Sequence, residues 1–234
     1  MKFSLRGRAF KRMKNCVIIP AYNEAGRIEQ VVKTVLEAGF DVLVVNDGSK
    51  DDTHFVLSVL PIIYLEHPVN QGQGAALRTG TLAARELGYE SVVHFDADGQ
   101  HQTADITRLL EVLHNDFDAA FGSRFMGLNS DLPGKKKVIL NLARIFSRFV
   151  LQLRFTDPQS GLRAFKLSVY DQLEWQKNDF QHCSEILGQV MKNKIKFKEI
   201  PVQIIYDEYA VSKVVKPKMS LGWKLIINKI FDWL

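Results

Sequence analysis

Short apolar runs of strand length alternate with segments of helical period through the first half of the chain, and that alternation leaves few folds open. Cys16, Val17, Ile18 and Ile19 form the first run, which Pro20 ends. Ile28, Val31, Val32, Val35 and Leu36 then recur at helical spacing, with Gly39 as a stop. A second buried-type strand covers 42–45 and ends in Asn46-Asp47-Gly48-Ser49, after which Asp51 and Asp52 suit the positive end of a helix. Strands follow over 62–65, 91–95 and 118–121, and helices over 74–87 and 103–114. Strand and helix in repetition imply a mostly parallel sheet covered by helices on both faces. Ligands of such sheets gather at the carboxyl ends of the strands. The polar clusters at 22–24, 46–49 and 96–101 each stand just after a strand, which marks that edge as the site.

The second half changes character. Residues 138–153 carry one apolar helical face, flanked by Lys135, Lys136, Lys137, Arg144, Arg148 and Arg154. A loop over 156–161 leads to a strand over 162–165, then a helix over 185–191 and an extended stretch over 197–206 broken at Pro201. Residues 221–234 read as an amphipathic helix, with Trp223, Ile226, Ile227 and Ile230 on one face. The chain divides into a basic arm (1–14), one large α/β domain (15–215) and the terminal helix (216–234).

The net charge of +5 is local: residues 1–14 hold six bases and no acid, and without them 25 bases face 26 acids. Such an arm can meet anionic headgroups or nucleic acid, or be a solvated end. No recognisable nucleic-acid module accompanies it, which sets nucleic acid aside as a partner. No apolar run approaches the roughly 20 residues that span a bilayer, and no apolar leader with a cleavage site is present. Two cysteines without metal-ligand spacing, Cys16 and Cys183, fit a reduced, cytoplasmic setting.

The chemistry concentrates in Asp96-Ala97-Asp98-Gly99-Gln100-His101, directly after Val92-Val93-His94-Phe95. Two carboxylates one residue apart at a strand end can converge on a hard cation, Mg²⁺ or Mn²⁺, with the Gln100 carbonyl oxygen beside them. A lone Asp-x-Asp is weak, because turns are rich in Asp; its place after a buried strand is what strengthens it. His101 stays outside the metal set, since a loop histidine is more often solvated or hydrogen-bonded elsewhere. Asp47 can accept from a nucleobase or ribose, or serve only its Asn-Asp-Gly turn. Tyr22 can stack on a base and Glu24 accept from it or from ribose, or the cluster can simply open a helix at Ala25. Gln71-Gly72-Gln73-Gly74 can admit a nucleotide backbone or begin a helix; it lacks the Lys and Ser/Thr of a P-loop.

Together these strings resemble the family-two glycosyltransferases with the GT-A fold. The carriers are Val17 to Glu24 (Val-Ile-Ile-Pro-Ala-Tyr-Asn-Glu), Val44 to Ser49, Asn70 to Gly74 and Asp96 to His101. Gly122-Ser123-Arg124-Phe125 and the stretch Thr156 to Phe165 look like the dolichyl-phosphate mannosyltransferase branch and its bacterial polyprenyl-phosphate relatives. The resemblance spans about residues 15 to 215, the catalytic domain. It implies that Pro20, Ala21, Tyr22, Glu24, Asp47 and Ala97 meet a UDP- or GDP-sugar, with Lys213 of Ser212-Lys213 closing over the donor phosphates. It implies that Asp96, Asp98 and Gln100 surround the metal, and that Arg124, Lys137 (or Lys136) and Ser160 meet an acceptor phosphate. Ala210-Val211 departs from the branch, where Gly often stands shortly before the Ser-Lys pair.

Members that glycosylate a hydroxyl often carry a Glu-Asp pair and Gln-x-x-Arg-Trp, and neither occurs here. A hydroxyl needs a general base; a lipid phosphate is already anionic and needs cationic positioning. The expectation is therefore in-line attack by a polyprenyl phosphate with inversion at the sugar carbon. Arg163 is a further candidate cation, equally able to pair structurally with a carboxylate, and Asp157 is the base if the acceptor is a hydroxyl. A bilayer-borne acceptor asks for peripheral contact at the inner face of the membrane, for which the arm, helix 138–153 and terminal helix are suited. The same apolar stripes also suit a core or a homodimer. Hydroxyl transfer to a lipid-linked glycan, nucleotidyl transfer and nucleic-acid binding are the competing readings.

Overall fold

The computed structural model describes residues 14–126 and 155–205. The helix read over 138–153, the terminal helix, most of the basic arm, Lys136, Lys137, Ser212 and Lys213 lie outside the described residues. The described strands are β1 (Asn15–Ala21), β2 (Asp41–Asn46), β3 (Ile63–Glu66), β4 (Ser91–His94), β5 (Ala119–Ser123), β6 (Arg163–Lys166) and β7 (Phe197–Pro201). The described helices are α1 (Ile28–Glu37), α2 (Thr53–Ser58), α3 (Gln73–Glu86), α4 (Thr103–His114), a single turn α5 (Tyr170–Leu173) and α6 (Gln181–Lys192). One sheet holds the strands in the order β3-β2-β1-β4-β6-β5-β7. It is the mostly parallel, GT-A-like α/β sheet anticipated, and element bounds shift from the expected ones by only a few residues.

β1 shows why the sheet is dry on both faces. Val17, Ile18 and Ile19 are wholly buried. Val17 and Ile19 face a core shared with α1 and α4, while Cys16 and Ile18 face one shared with α3 and α6. Each such side chain contributes about 1.5–3 kcal/mol by leaving water, so alternation along the strand stabilises two layers at once.

Pro20 departs from expectation: it stands inside β1, paired with Val45 of β2. The reason is geometric. Residues of the same parity on β1 face β4, as Phe95 N donating to Ile18 O shows. The β1–β4 ladder ends at Ile18–His94, so the missing N–H of Pro20 points where no partner strand remains.

β6 runs antiparallel to both β4 and β5. Its first residue, Arg163, is opposite His94, the last residue of β4. The Ser160-Gly161 turn before β6 is thereby delivered to the carboxyl end of β4, where the acidic cluster begins.

Candidate active site

Three loops after β1, β2 and β4 converge, and side-chain hydrogen bonds lock them. Asn23 takes a left-handed conformation (φ 55°); its N donates to Ser49 Oγ at 2.9 Å and its Oδ1 accepts from Lys50 N at 2.8 Å. Glu24 N donates to Thr53 Oγ1, and Ala25 N to Asp51 Oδ2. The 22–25 segment is thus tied across to the β2 loop, and α1 starts only at Ile28, not at Ala25. A recess of about 620 Å³ opens between the loops after β1, β2 and β3, bounded by Tyr22, Ser49, Lys50, Glu66, Pro68 and Asn70 among others. Tyr22 is 41% exposed there, as a stacking platform needs.

Asp47 is only 2% exposed. His67 Nδ1 donates to its Oδ1 at 2.6 Å, Gln71 N to the same oxygen at 3.0 Å, and Gly72 N to Oδ2 at 2.7 Å. Its carboxylate therefore organises the Gln71 to Gly74 stretch. That stretch opens α3, and its glycines serve packing against the protein. A Cβ on Gly72 or Gly74 would lie 2.4 Å from the carbonyl oxygen of Asn178 or Lys177, and Gly72 has φ +102°. The 175–178 loop seals this junction: Trp175, wholly buried, donates through Nε1 to Gly74 O at 2.8 Å.

Asp96 and Asp98 follow β4. Gln73 Nε2 donates to Asp96 Oδ1 at 2.9 Å, and His101 Nε2 lies 3.1 Å from Oδ2. His101, left outside the metal set on sequence grounds, is thus a partner of the first carboxylate, its side chain 5% exposed. Burial opposes ionisation of Asp96, but His101, Arg163 and His182 outweigh it and hold the carboxyl below its usual range. Asp98 moves the other way, pushed up to about 6 by burial and then by the charge of Asp96. Its Oδ1 accepts from Gln100 N, and Glu24 adds further negative charge nearby. Among the described residues no three His, Cys, Asp or Glu side chains form a ready-made cation cage. Two carboxylates, one with its ionisation suppressed by burial and by the other's charge, nevertheless fit Mg²⁺ or Mn²⁺, which take few protein oxygens and complete their shell with water and phosphate.

Gly161 is the residue that makes room. A Cβ there would stand 2.4 Å from Asp96 Oδ2. The adjacent Ser160 Oγ is buried without a hydrogen-bond partner. Arg163 is 1% exposed and directed inward, with Nη2 3.0 Å from Cys183 Sγ and 3.4 Å from His182 Nε2. It therefore serves the interior beneath Asp96, and the acceptor role considered for it is dropped. Burial opposes ionisation of the Cys183 thiol, yet Arg163 and His182 bring it down to about 7.

Arg124, just beyond β5, holds Asp157 in a two-pronged pair: Nε to Oδ2 at 2.6 Å and Nη2 to Oδ1 at 2.7 Å, with its backbone N at 3.1 Å. Asp157 is in turn placed by Glu199 of β7, which accepts from Thr156 N at 3.0 Å and Thr156 Oγ1 at 2.9 Å. Sequence reading missed Gln73, His67 and Glu199. Gln73 stands in the Asn70 to Gly74 string, which gave its side chain no role, and nothing local marks the other two; each acts on a residue far away in the chain.

The sequence pattern of "Glycosyl transferase family 2" matches residues 16–174, from β1 past the end of α5. The chain belongs to glycosyl transferase family 2. Within the family it is similar to the UDP-N-acetylglucosamine–dolichyl-phosphate N-acetylglucosaminyltransferase of Methanococcus voltae, 36% identical over 89% of this chain and 92% of that one. It is 30% identical to the polyprenol monophosphomannose synthase of Mycolicibacterium smegmatis over 86% and 81% of the two chains. The family 2 fold also matches the crystal structure of glucosyl-3-phosphoglycerate synthase from Mycobacterium tuberculosis in complex with Mn²⁺, uridine diphosphate and glucosyl-3-phosphoglycerate. That match has TM-score 0.70 at 18% identity, covering 90% and 75% of the chains.

Proposed function

We propose that this family 2 glycosyltransferase is divalent-metal-dependent and moves a sugar, with inversion, from a UDP- or GDP-sugar to a polyprenyl phosphate at the cytoplasmic membrane face. The observation that carries the reading is the pressing of the Ser160-Gly161 turn onto Asp96. It puts the acceptor-side loop, with Arg124 and Asp157, against the donor-side carboxylates. The similar Methanococcus and Mycolicibacterium enzymes, whose names specify dolichyl and polyprenyl phosphates, support the acceptor class.

Bound Mg²⁺ or Mn²⁺ would supply charge neutralisation for the departing diphosphate. Asp96, Asp98 and the Gln100 side chain would hold it in this reading, with the Asp96 carboxyl already held below its usual range. Pro20, Ala21, Tyr22, Glu24, Asp47 and Ala97 form the donor face; Tyr22 stacks on the base and Asp47 sets the loop beneath it. Arg124, oriented by Asp157, and Ser160 Oγ receive the acceptor phosphate, joined by Lys137, while Lys213 covers the donor phosphates. Asp157 accepts three hydrogen bonds from Arg124, which suits an orienting anion better than a general base. An anionic phosphate nucleophile needs none. No described helix is long and apolar enough to cross a membrane, in keeping with peripheral contact.

Labelled UDP- and GDP-sugars, incubated with polyprenyl phosphate with and without Mn²⁺, test this. The expected result is a lipid-linked product and free nucleoside diphosphate, both lost on chelation. Failure of every donor to give a lipid-linked product overturns the acceptor assignment.

A further inference from the structure

The recess beside Tyr22 contains one carboxylate and one ammonium among its described lining residues, Glu66 and Lys50. Neither belongs to the motifs that marked the site in sequence. Glu66 closes edge strand β3 and pairs with Asn46 of β2. Its carboxylate is held in one orientation. Asn46 Nδ2 donates to Oε1 at 3.2 Å, while the Tyr64 hydroxyl at 2.8 Å and His54 Nδ1 at 2.9 Å reach Oε2. Asn46 is wholly buried and also donates to Tyr64 Oη at 3.1 Å, which stiffens the set. Burial pushes the Tyr64 phenol up to about 12, so it remains a donor.

Three donors leave capacity on a carboxylate that can accept about four hydrogen bonds. The Glu66 side chain is 36% exposed. Asp47, the neighbouring carboxylate, is 2% exposed and engaged by His67 and two backbone amides. A base stacked on Tyr22 therefore has Glu66 as the oriented anionic acceptor at its edge, with Lys50 and Asn70 among the recess groups able to donate.

We infer that Glu66 reads the nucleobase: it accepts an imino N–H while Lys50 or Asn70 donates to the adjoining carbonyl. That pairing selects bases presenting an N–H beside a C=O, uracil (N3–H and O4) and guanine (N1–H and O6). Cytosine and adenine present the reverse, a ring-nitrogen lone pair beside an amino group, and set a lone pair against the carboxylate. An acceptor facing an acceptor loses the bond and leaves desolvated charge unmatched. This inference rests on the nucleotide-sugar reading of the site and names which bases it takes.

The test is calorimetric titration of UDP, GDP, CDP and ADP, each with Mn²⁺, into the full chain and into Glu66→Ala and Glu66→Gln. Melting curves without ligand check that both variants fold. Wild type is expected to bind UDP, GDP or both at least about ten-fold tighter than CDP and ADP. Glu66→Ala should weaken the preferred diphosphate by about ten- to a hundred-fold and erase most of the preference, with Glu66→Gln intermediate. An undiminished preference in both variants overturns the role of Glu66 while leaving the donor site standing. If none of the four binds wild type, the donor reading falls and this inference with it.

Discussion

Gly161→Ala isolates the contact on which the proposed site depends. The added Cβ would lie 2.4 Å from Asp96 Oδ2 and 2.9 Å from Oδ1, whereas ordinary contact begins near 3.4 Å. The carboxylate must therefore retreat by roughly 1 Å, the difference between 3.4 and 2.4 Å. Its bonds to Gln73 (2.9 Å) and His101 (3.1 Å) cannot both survive that shift. What yields is the end of a side chain rather than backbone, so the stability cost should be modest, about 1–3 kcal/mol as for other overpacked sites. Catalysis should suffer more, because a misplacement of about 1 Å in a reacting constellation costs on the order of 10²-fold. The assay is kcat/KM with a nucleotide-sugar and polyprenyl phosphate, beside a thermal melt and a Mn²⁺ titration. Gly188→Ala is the control: nothing lies within 4 Å of its Cβ position, and in α6 it should gain about 0.5–1 kcal/mol with unchanged activity. A Gly161→Ala enzyme within about two-fold of wild type in kcat/KM would refute the reasoning from displacement.

Asp98→Asn should lower turnover by about 10³-fold, the scale of several kcal/mol of lost charge stabilisation; near-normal turnover would sink the metal assignment. Asp98 also makes the metal-free fold pH-sensitive. Its folded carboxyl is raised from 3.8 to about 6, so the folded state binds the proton more tightly and stability falls as pH rises through that window. The melting temperature gained on adding Mn²⁺ should accordingly grow from pH 5 to pH 7.5, and Asp98→Asn should flatten that growth; a pH-independent gain contradicts it. Asp157→Asn breaks a pair whose side chains are 13% and 1% exposed, and should cost about 3–5 kcal/mol in urea denaturation. An unchanged midpoint would mean the pair orients nothing. Trp175→Phe strands the Gly74 carbonyl and should cost about 1–3 kcal/mol; an unaltered melt would show that the 175–178 loop does not seal α3.

Much of the fold's first half was legible because its signals are local. An apolar run buried on both faces, a polar cluster after it and a helical period next are readable within about twenty residues, and the Asp96–Asp98 pair inherits its place from β4. The resemblance likewise singled out Arg124 and Ser160, and the structure supplies their surroundings. Pro20 was misread as a terminator because a proline's cost depends on whether a neighbouring strand stands opposite its nitrogen. That is a question of strand order.

The sequence by itself determined the alternating strand–helix architecture and which polar clusters stand at the carboxyl ends of its strands, since hydrophobic period and motif position are properties of the chain alone. Only the tertiary structure decided what those residues do to one another. The antiparallel entry of β6 brings Gly161 to Asp96. Gln73 and His101 take the two oxygens of that carboxylate. Asp157 takes the fork of Arg124 from 33 positions away. Register and strand order set such distances to within an ångström, and no local pattern encodes either.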